Sequence, residues 1–431
     1  MLQMNKVLVI AYYWPPSGGA GVQRWLKFVK YLPQFKIHPV VITVDESCAA
    51  FPKIDHSFDQ EVEGVEVHKT QATDYYKFYT KFNGEKKIPQ GGVPSAKSSW
   101  KNKLSLAIRN NLFVPDPRIG WNKFAIKKAV ELIKKGDIDT VVTTSPPHST
   151  QLIGLKLKEK FPHIKWVADL RDPWTDIYYY KDLGHSTRSD TANKKKELEV
   201  LEKADNVIVV SPHMKILFAS KSDKINSDKI KVIPNGFDHK EFENINKKAN
   251  PEFNITYVGT ANKDYDLSGF LQALLKLKEA NIPFKWNIVG EFSAVIKKQI
   301  EESGLLSFVR YYGYLQHSEA IKHTISADLL LLIIPNVTNN KLIYSGKLFE
   351  YIATANPILC LGPDDGDAAV LIKENGLGKN FPYNEQEKIL EYLTTSFHKY
   401  KNNSLTVKGF NTNQFSRKNL TNVLVRLLNK Y

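Results

Sequence analysis

Cysteine is almost absent. The 431 residues hold two, Cys48 and Cys360, and neither belongs to a CxxC pair. That excludes a disulfide framework and a cysteine-based zinc site, and it fits a reducing compartment. Long apolar runs are missing as well. The longest, LLLLII at 329–334, is stopped by Pro335. It is far too short to span a bilayer and reads as a buried strand. No export signal is visible, because the apolar run after Lys6 is too short for a leader core. Nucleophile and metal signatures are wanting too. There is no HExxH, no GxSxG and no Walker lysine after the first glycine-rich turn. Asp137-Ile-Asp139 is a DxD, but it stands before a strand and reads as strand entry.

Acid is in deficit. Sixty Lys and Arg against 45 Asp and Glu leave a net charge of +15. Residues 71–135 alone hold fourteen basic side chains against four acidic ones. Tyr75, Tyr76, Phe78, Tyr79, Phe82, Trp100, Phe113 and Trp121 lie among them. Basic residues mixed with aromatics suit an anionic membrane surface, and also nucleic acid. A solvated lysine-rich loop reads equally well from charge alone.

What is present is a soluble-type composition, 42% hydrophobic and 24% charged, on a chain long enough for two or three domains. Strand-like and helix-like segments alternate, as in parallel α/β sheets. Strands are expected near 6–11, 38–44, 139–144, 165–169 and 206–210. Helices are expected near 21–32, 122–135, 149–160 and 191–203. The segment 71–120 interrupts the rhythm and holds Pro89, Pro94, Pro115 and Pro117. A second series begins after IPNGFD (233–238). Its strands fall near 254–258, 284–289, 308–312, 328–334 and 357–361. Its helices fall near 267–280, 293–303, 317–326, 345–354 and 387–399. An amphipathic stretch at 414–430 ends the chain. The expected class is α/β, two doubly wound Rossmann-like domains facing across a cleft, with ligands beyond the carboxyl ends of the strands.

Four motifs sit at such strand ends. The first is Gly18-Gly19-Ala20-Gly21-Val22-Gln23-Arg24, a GxGxxG pattern with arginine in the third glycine's place. Asp45, after VVITV, stands where a dehydrogenase keeps its ribose acid. Arg24 spoils the close packing that motif needs. What remains is a glycine-rich turn offering N–H groups to an anion at a helix start. The second motif, TTSPPHST (143–150), puts His148 just before a helix. The third, WVADLRDPW (166–174), crowds Asp169, Arg171 and Asp172. There the charges bind a polar acceptor or form a self-contained pair that fixes the loop. The fourth is YSGKLFEYIATANPILCLG (344–362). Lys347 in a first helical turn opposes the helix dipole. That conflict resolves if a diphosphate occupies the site, with Glu350 accepting from sugar hydroxyls.

Taken together, YYWPPSGGAGVQR (12–24), TTSPPHST, DLRDPW (169–174), ADNVIVVS (204–211), VIPNGFD (232–238), YVGT (257–260), YYGYLQHSEAIKHTISADLLLLI (311–333) and KLFEYIATANPILCLG (347–362) resemble the retaining family-4 glycosyltransferases of the GT-B fold, along nearly the full length. The resemblance implies an acceptor-side domain over 1–238, with the basic aromatic excursion 71–120, completed by a C-terminal helix within 414–431. It implies a nucleotide-sugar-binding domain over 239–413. Gly18, Gly19 and Gly21 would face the donor diphosphate. Glu350 would match the family's ribose-binding glutamate, and Gly313 and Tyr314 would lie against the base. His148 would lie near the donor sugar. Thr260 stands in place of the family's arginine, with Lys263 nearby, and Leu342 replaces the first of two glutamates. Lys347 would supply the lost charge from a helix opened by Ser345 and Gly346.

The implied function is transfer of a sugar from a nucleoside-diphosphate sugar to a glycan or lipid-linked acceptor, with retention, in cell-surface polysaccharide or glycolipid synthesis. His148, Lys347 and Glu350 would be its catalytic residues, and Arg171 and Asp172 would hold the acceptor. No metal and no cofactor beyond the donor is expected. The expected place is cytoplasmic, peripheral at the inner face of an anionic membrane, with no nucleic acid bound. The rival is a nucleotide-dependent oxidoreductase or a sugar-nucleotide epimerase, which would need an intact GxGxxG.

Overall fold

Thirteen strands among the described residues pair in parallel throughout and form two sheets. The computed structural model describes residues 5–49, 51, 54–73, 110–243, 245, 247, 250–407 and 409–429. One unit spans Met1–Pro234 and Lys418–Tyr431, the other Asn235–Arg417.

The first unit carries β1 (Asn5–Ile10), β2 (Ile37–Val44), β3 (Glu66–Thr70), β4 (Ile138–Ser145), β5 (Lys165–Leu170), β6 (Asn206–Val209) and β7 (Ile230–Val232), in the order β3-β2-β1-β4-β5-β6-β7. Its helices are α1 (Ala20–Tyr31), α2 (Asn122–Lys134), α3 (Ser149–Lys160), α4 (Thr187–Lys203) and α5 (Pro212–Ala219). The reversal of strand order beside β1 and β4 is the doubly wound switch point. Alternation along β1 builds both faces. Val7 and Val9 pack with Trp25 and Phe28 of α1, and with Leu420 and Leu424 of the last helix. Leu8 and Ile10 pack on the other face with Ala125 and Ala129 of α2 and Ile153 of α3. Helices on both faces explain why these strands read as unbroken apolar runs.

The second unit carries β8 (Phe253–Val258), β9 (Phe284–Val289), β10 (Val309–Gly313), β11 (Leu329–Ile333), β12 (Ile358–Leu361) and β13 (Gly378–Phe381), in the order β10-β9-β8-β11-β12-β13. Around them run α6 (Ser268–Glu279), α7 (Ala294–Glu302), α8 (His317–Ser326), α9 (Gly346–Thr354), α10 (Asp367–Glu374) and α11 (Gln386–Lys401). The last helix, α12 (Arg417–Leu428), belongs mostly to the first unit, where its apolar face supplies the core contacts just named.

Every strand expected in the two series is present, within two residues at each end. β3, β7, β13, α5 and α10 were not expected. β3 and β13 are edge strands with polar sequences, EVHKT and GKNF, and β7 has three residues. Such short edges carry no periodic signal.

Most of the basic excursion, with Tyr75, Tyr76, Phe78, Tyr79, Phe82 and Trp100, lies outside the described residues. Trp121 is within them and is corrected: it is no surface aromatic. Its side chain is buried, its ring lies edge-on to Tyr12 at 5.5 Å, and its N–H donates to Thr70 Oγ1 at 2.8 Å. No helix among the described residues is long and apolar enough to cross a membrane.

One glycine fixes how α3 lies on the sheet. A Cβ at Gly154 would stand 2.1 Å from Trp166 Nε1. That nitrogen donates to Thr143 Oγ1 at 2.9 Å, which in turn donates to Gln151 Oε1 at 2.6 Å. Gly154→Ala should therefore cost about 3 kcal/mol, from overpacking plus a broken buried hydrogen bond. Urea denaturation checks this; a loss below about 1 kcal/mol would show that α3 can shift freely.

Candidate functional site

In the first unit the loop from β1 to α1 turns on its glycines. Gly19 sits at φ +93°, and a Cβ there would meet nothing within 4 Å. The turn thus asks for glycine by conformation, not by space. Gly18 is buried. A Cβ at Gly21 would lie 3.7 Å from the Tyr13 ring and 3.8 Å from Arg171 Nη2. No side chain caps α1, and its first turn carries no acid. The positive end of its dipole is left for an anion.

Arg24, the residue that breaks the dinucleotide fingerprint, is 1% exposed. Its Nη2 donates to Asp169 Oδ1 at 3.0 Å and to the Ile233 carbonyl at 2.8 Å. Nη1 donates to the Pro234 carbonyl at 2.8 Å. Asp169 also accepts from Trp25 Nε1 at 2.7 Å and from Thr144 Oγ1 at 2.8 Å. The self-contained pair weighed for this loop therefore exists, but the arginine is Arg24 rather than Arg171. It locks α1 to the ends of β4 and β5 and to the chain leaving β7.

His148 precedes α3, and its position is set by Asp116. That carboxylate accepts from the Ser149 N–H at 2.7 Å and from Ser149 Oγ at 2.9 Å. The imidazole stacks on Trp174, with centroids 4.9 Å apart and 10° between planes. Nδ1 is buried without a hydrogen-bond partner among the described residues. Burial, reinforced by the Arg171 guanidinium, holds the imidazole down to about 3. The ring is neutral at pH 7. Its folded form resists protonation, so the stability it contributes is whole above the ordinary imidazole range and declines as pH falls from 6.5 toward 3.

Arg171 and Asp172 are half-buried at the end of β5, and Arg171 Nε donates to the Ser145 carbonyl at 2.8 Å. Burial raises the Asp172 carboxyl, against the pull of Arg171. The acid once weighed for a cofactor ribose, Asp45, instead closes its own turn by accepting from Ser47 N–H at 2.9 Å. Asp137 pairs with Lys6. Among the described residues no group of three or more His, Cys, Asp or Glu is placed to hold a metal ion.

In the second unit the side chains gather at the carboxyl end of β8. Lys347, in the first turn of α9, donates to Tyr257 Oη at 2.8 Å and approaches the Thr260 carbonyl at 3.5 Å. Its Nζ stands 4.6 Å from the Tyr257 ring centroid and 5.9 Å from that of Tyr265. The lysine runs directly over Gly259, where a Cβ would come within 2.2 Å of Cε. Among the described residues it has no carboxylate in ion-pair contact. Burial lowers it to about 8, with Glu350 acting the other way. Ser345 caps α9 by accepting from the Lys347 N–H at 3.3 Å. A Cβ at Gly346 would meet open space.

Glu350 lies one turn on from Lys347, half-buried. Burial raises its carboxyl, opposed first by His317; Glu241 raises it further, while Lys347 and Arg417 oppose. His317 Nε2 is 3.3 Å from Glu241 Oε2. Gly313, at φ +66°, accepts from the Gly290 N–H at 2.7 Å, and Tyr314 beside it is 67% exposed. Thr260 and Lys263 are both exposed. The structure thus gathers Lys347, the Thr260 carbonyl, Ser345 and Gly346 around one strand end, and places Lys263 on the open surface. Tyr257 and Gly259 belong to this group and were missed. A tyrosine inside an apolar strand reads as core, and nothing in YVGT shows that its hydroxyl meets a lysine ninety residues away. Asp116 was missed too, although the Asp-Pro pair of PDPR marks a turn.

No curated protein sequence matches the chain. Residues 93–241 match Glycosyltransferase Family 4. Among solved structures, a glycosyltransferase from Rickettsia africae ESF-5 superposes with a TM-score of 0.60 at 17% identity, covering 98% of this chain and 97% of that one. Anabaena Alr3699/HepE in complex with UDP gives 0.61 at 14%, with 99% of each chain covered. A putative UDP-N-acetylglucosamine 2-epimerase from Listeria monocytogenes gives 0.56 at 10%, covering 98% and 95%. At such identities the likeness is one of fold, and it includes a sugar-nucleotide epimerase. Residues 93–241 thus carry a match to Glycosyltransferase Family 4, and the two parallel α/β sheets around them share the fold of these solved structures.

Proposed function

We propose that this protein is a glycosyltransferase that takes its sugar from a nucleoside-diphosphate sugar whose nucleotide the second unit binds. The carrying observation is Lys347. An ammonium is held over a glycine at a strand's carboxyl end, with no carboxylate paired to it among the described residues, at the start of a helix whose dipole disfavours it. A diphosphate removes both conflicts at once. Glu350, one turn further along the same face, would accept from the ribose hydroxyls, and the backbone at Gly313 and Tyr314 would meet the base. Structures of Anabaena Alr3699/HepE in complex with UDP and with UDP-glucose support this choice of donor class.

The chemistry is a problem of charge. The leaving diphosphate becomes more negative as an oxocarbenium-like sugar forms, and fixed cations and N–H groups stabilise it. Retention follows if the acceptor attacks from the leaving-group face and a diphosphate oxygen takes its proton. His148, neutral at pH 7, would serve as a hydrogen-bonding group for the reacting sugar and not as a cation. Arg171 and Asp172 would receive a glycan or lipid-linked acceptor, at an anionic membrane surface.

The test is a panel of nucleotides and nucleotide sugars, read by thermal shift and by donor hydrolysis. Nucleoside diphosphates should raise the melting temperature, and one sugar nucleotide should be hydrolysed slowly without acceptor. Stabilisation by NAD(P) alone, or epimerised sugar nucleotide with no transfer, would overturn the reading. Affinity for the diphosphate should also depend on pH. Only the ammonium form of Lys347 attracts it, so KM for the donor should rise above pH 8, approaching about tenfold per unit. Lys347→Arg should remove that inflection.

A further inference from the structure

We propose that Tyr257 is a positioning residue that fixes the Lys347 ammonium above Gly259 by accepting one of its N–H bonds. The inference rests on the donor-site reading above for its function, but its geometry stands alone. The Tyr257 hydroxyl donates to the Thr260 carbonyl at 2.9 Å. With its proton committed to the backbone, the phenol oxygen presents a lone pair. Lys347 Nζ reaches that oxygen at 2.8 Å. The same ring lies under the cation, at 4.6 Å from its centroid. One side chain thus supplies an acceptor and a π face together.

Direction follows from what surrounds the lysine. Gly259, at φ +127°, leaves no Cβ beneath Cε and Nζ, so the chain can lie flat on the turn. The Gly259 N–H is itself held by the Val289 carbonyl at 2.7 Å, so the floor is fixed. An ammonium has three N–H bonds. One goes to Tyr257 and one points toward the Thr260 carbonyl, which leaves the third for a phosphate oxygen. The titratable groups facing Lys347 are Tyr257 and Tyr265 from the β8 side and Glu350 from its own helix. Burial pushes the Tyr257 phenol well above its ordinary range, so it stays a neutral partner wherever the lysine titrates.

The decisive measurement is the Nζ NMR titration of Lys347 in the full chain, assigned by its loss in Lys347→Arg. In the parent protein the midpoint should lie near 8, below an ordinary lysine. Tyr257→Phe keeps the ring and removes the acceptor. Its midpoint should fall by about one unit, and donor kcat/KM at pH 7 should drop about tenfold, carried by KM. A structural role alone would lower activity equally at every pH, and an unmoved midpoint in a folded Tyr257→Phe protein would sink the idea. Inorganic pyrophosphate is the separate probe. If it leaves the parent Lys347 signal unmoved, the donor-site reading falls, whereas the variant's midpoint judges the positioning.

Discussion

Lys347→Ala should lower donor kcat/KM by about a thousandfold while leaving the protein folded. The size follows from the job. A fixed charge facing a diphosphate that gains negative charge contributes about 4 kcal/mol of transition-state stabilisation, and each 1.36 kcal/mol is a factor of ten. The fold should tolerate the change because the side chain is half-buried, makes no ion pair among the described residues and resists charging where it sits. The loss should divide between kcat and KM, since the ground-state diphosphate also feels the ammonium. Gly259→Ala offers a second route to the same result. Its Cβ would fall 2.4 Å from Nζ and force the lysine off the turn. A Lys347→Ala enzyme within tenfold of the parent would remove Lys347 from the catalytic machinery. Steady-state kinetics with a saturating acceptor, beside a circular dichroism melt, decides it.

The two sites differ in how plainly the sequence announces them. Lys347 and Glu350 could be read because the conflict is local: a cation in a first helical turn contradicts the dipole, and the turn itself is marked by Ser345 and Gly346. The strands could be read because sheets covered on both faces need unbroken runs such as VLVI and LLLLI. Partnership across sequence could not. Tyr257 and Lys347 are ninety residues apart, and a buried tyrosine announces only its ring. Asp169 was legible as a charge at a strand end, but not as a group already consumed by Arg24, Trp25 and Thr144. The edge strands β3 and β13 were illegible because pairing to a neighbour, not their own composition, makes them strands.

Arg24→Gly would restore an unbroken GxGxxG, and it should destabilise the first unit severely. Asp169 would keep the bonds from Trp25 and Thr144 and the field of the nearby Arg171 guanidinium but lose its ion-pair partner, in a place where neither member of the pair is more than 1% exposed. Breaking a buried pair from one side costs about 3–5 kcal/mol, because the remaining charge is stranded. The carbonyls of Ile233 and Pro234 would lose their donors as well. A unit of this size should then melt roughly 6–20 °C lower, at about 2–4 °C per kcal/mol. Arg24→Lys tests whether charge alone suffices. A lysine cannot reach Asp169 and two carbonyls with one planar fork, so it should recover only part of the loss. In Arg24→Gly/Asp169→Asn the stranded charge is gone, and stability should return toward that of Asp169→Asn alone. If Arg24→Gly melts within about 2 °C of the parent, the arginine is not a structural lock, and the turn is nearer to a dinucleotide fingerprint than its packing allows. The geometry argues the opposite: the third position here belongs to an ion pair that holds α1 on the sheet, and the glycines before it are left to shape a turn with an uncapped helix end.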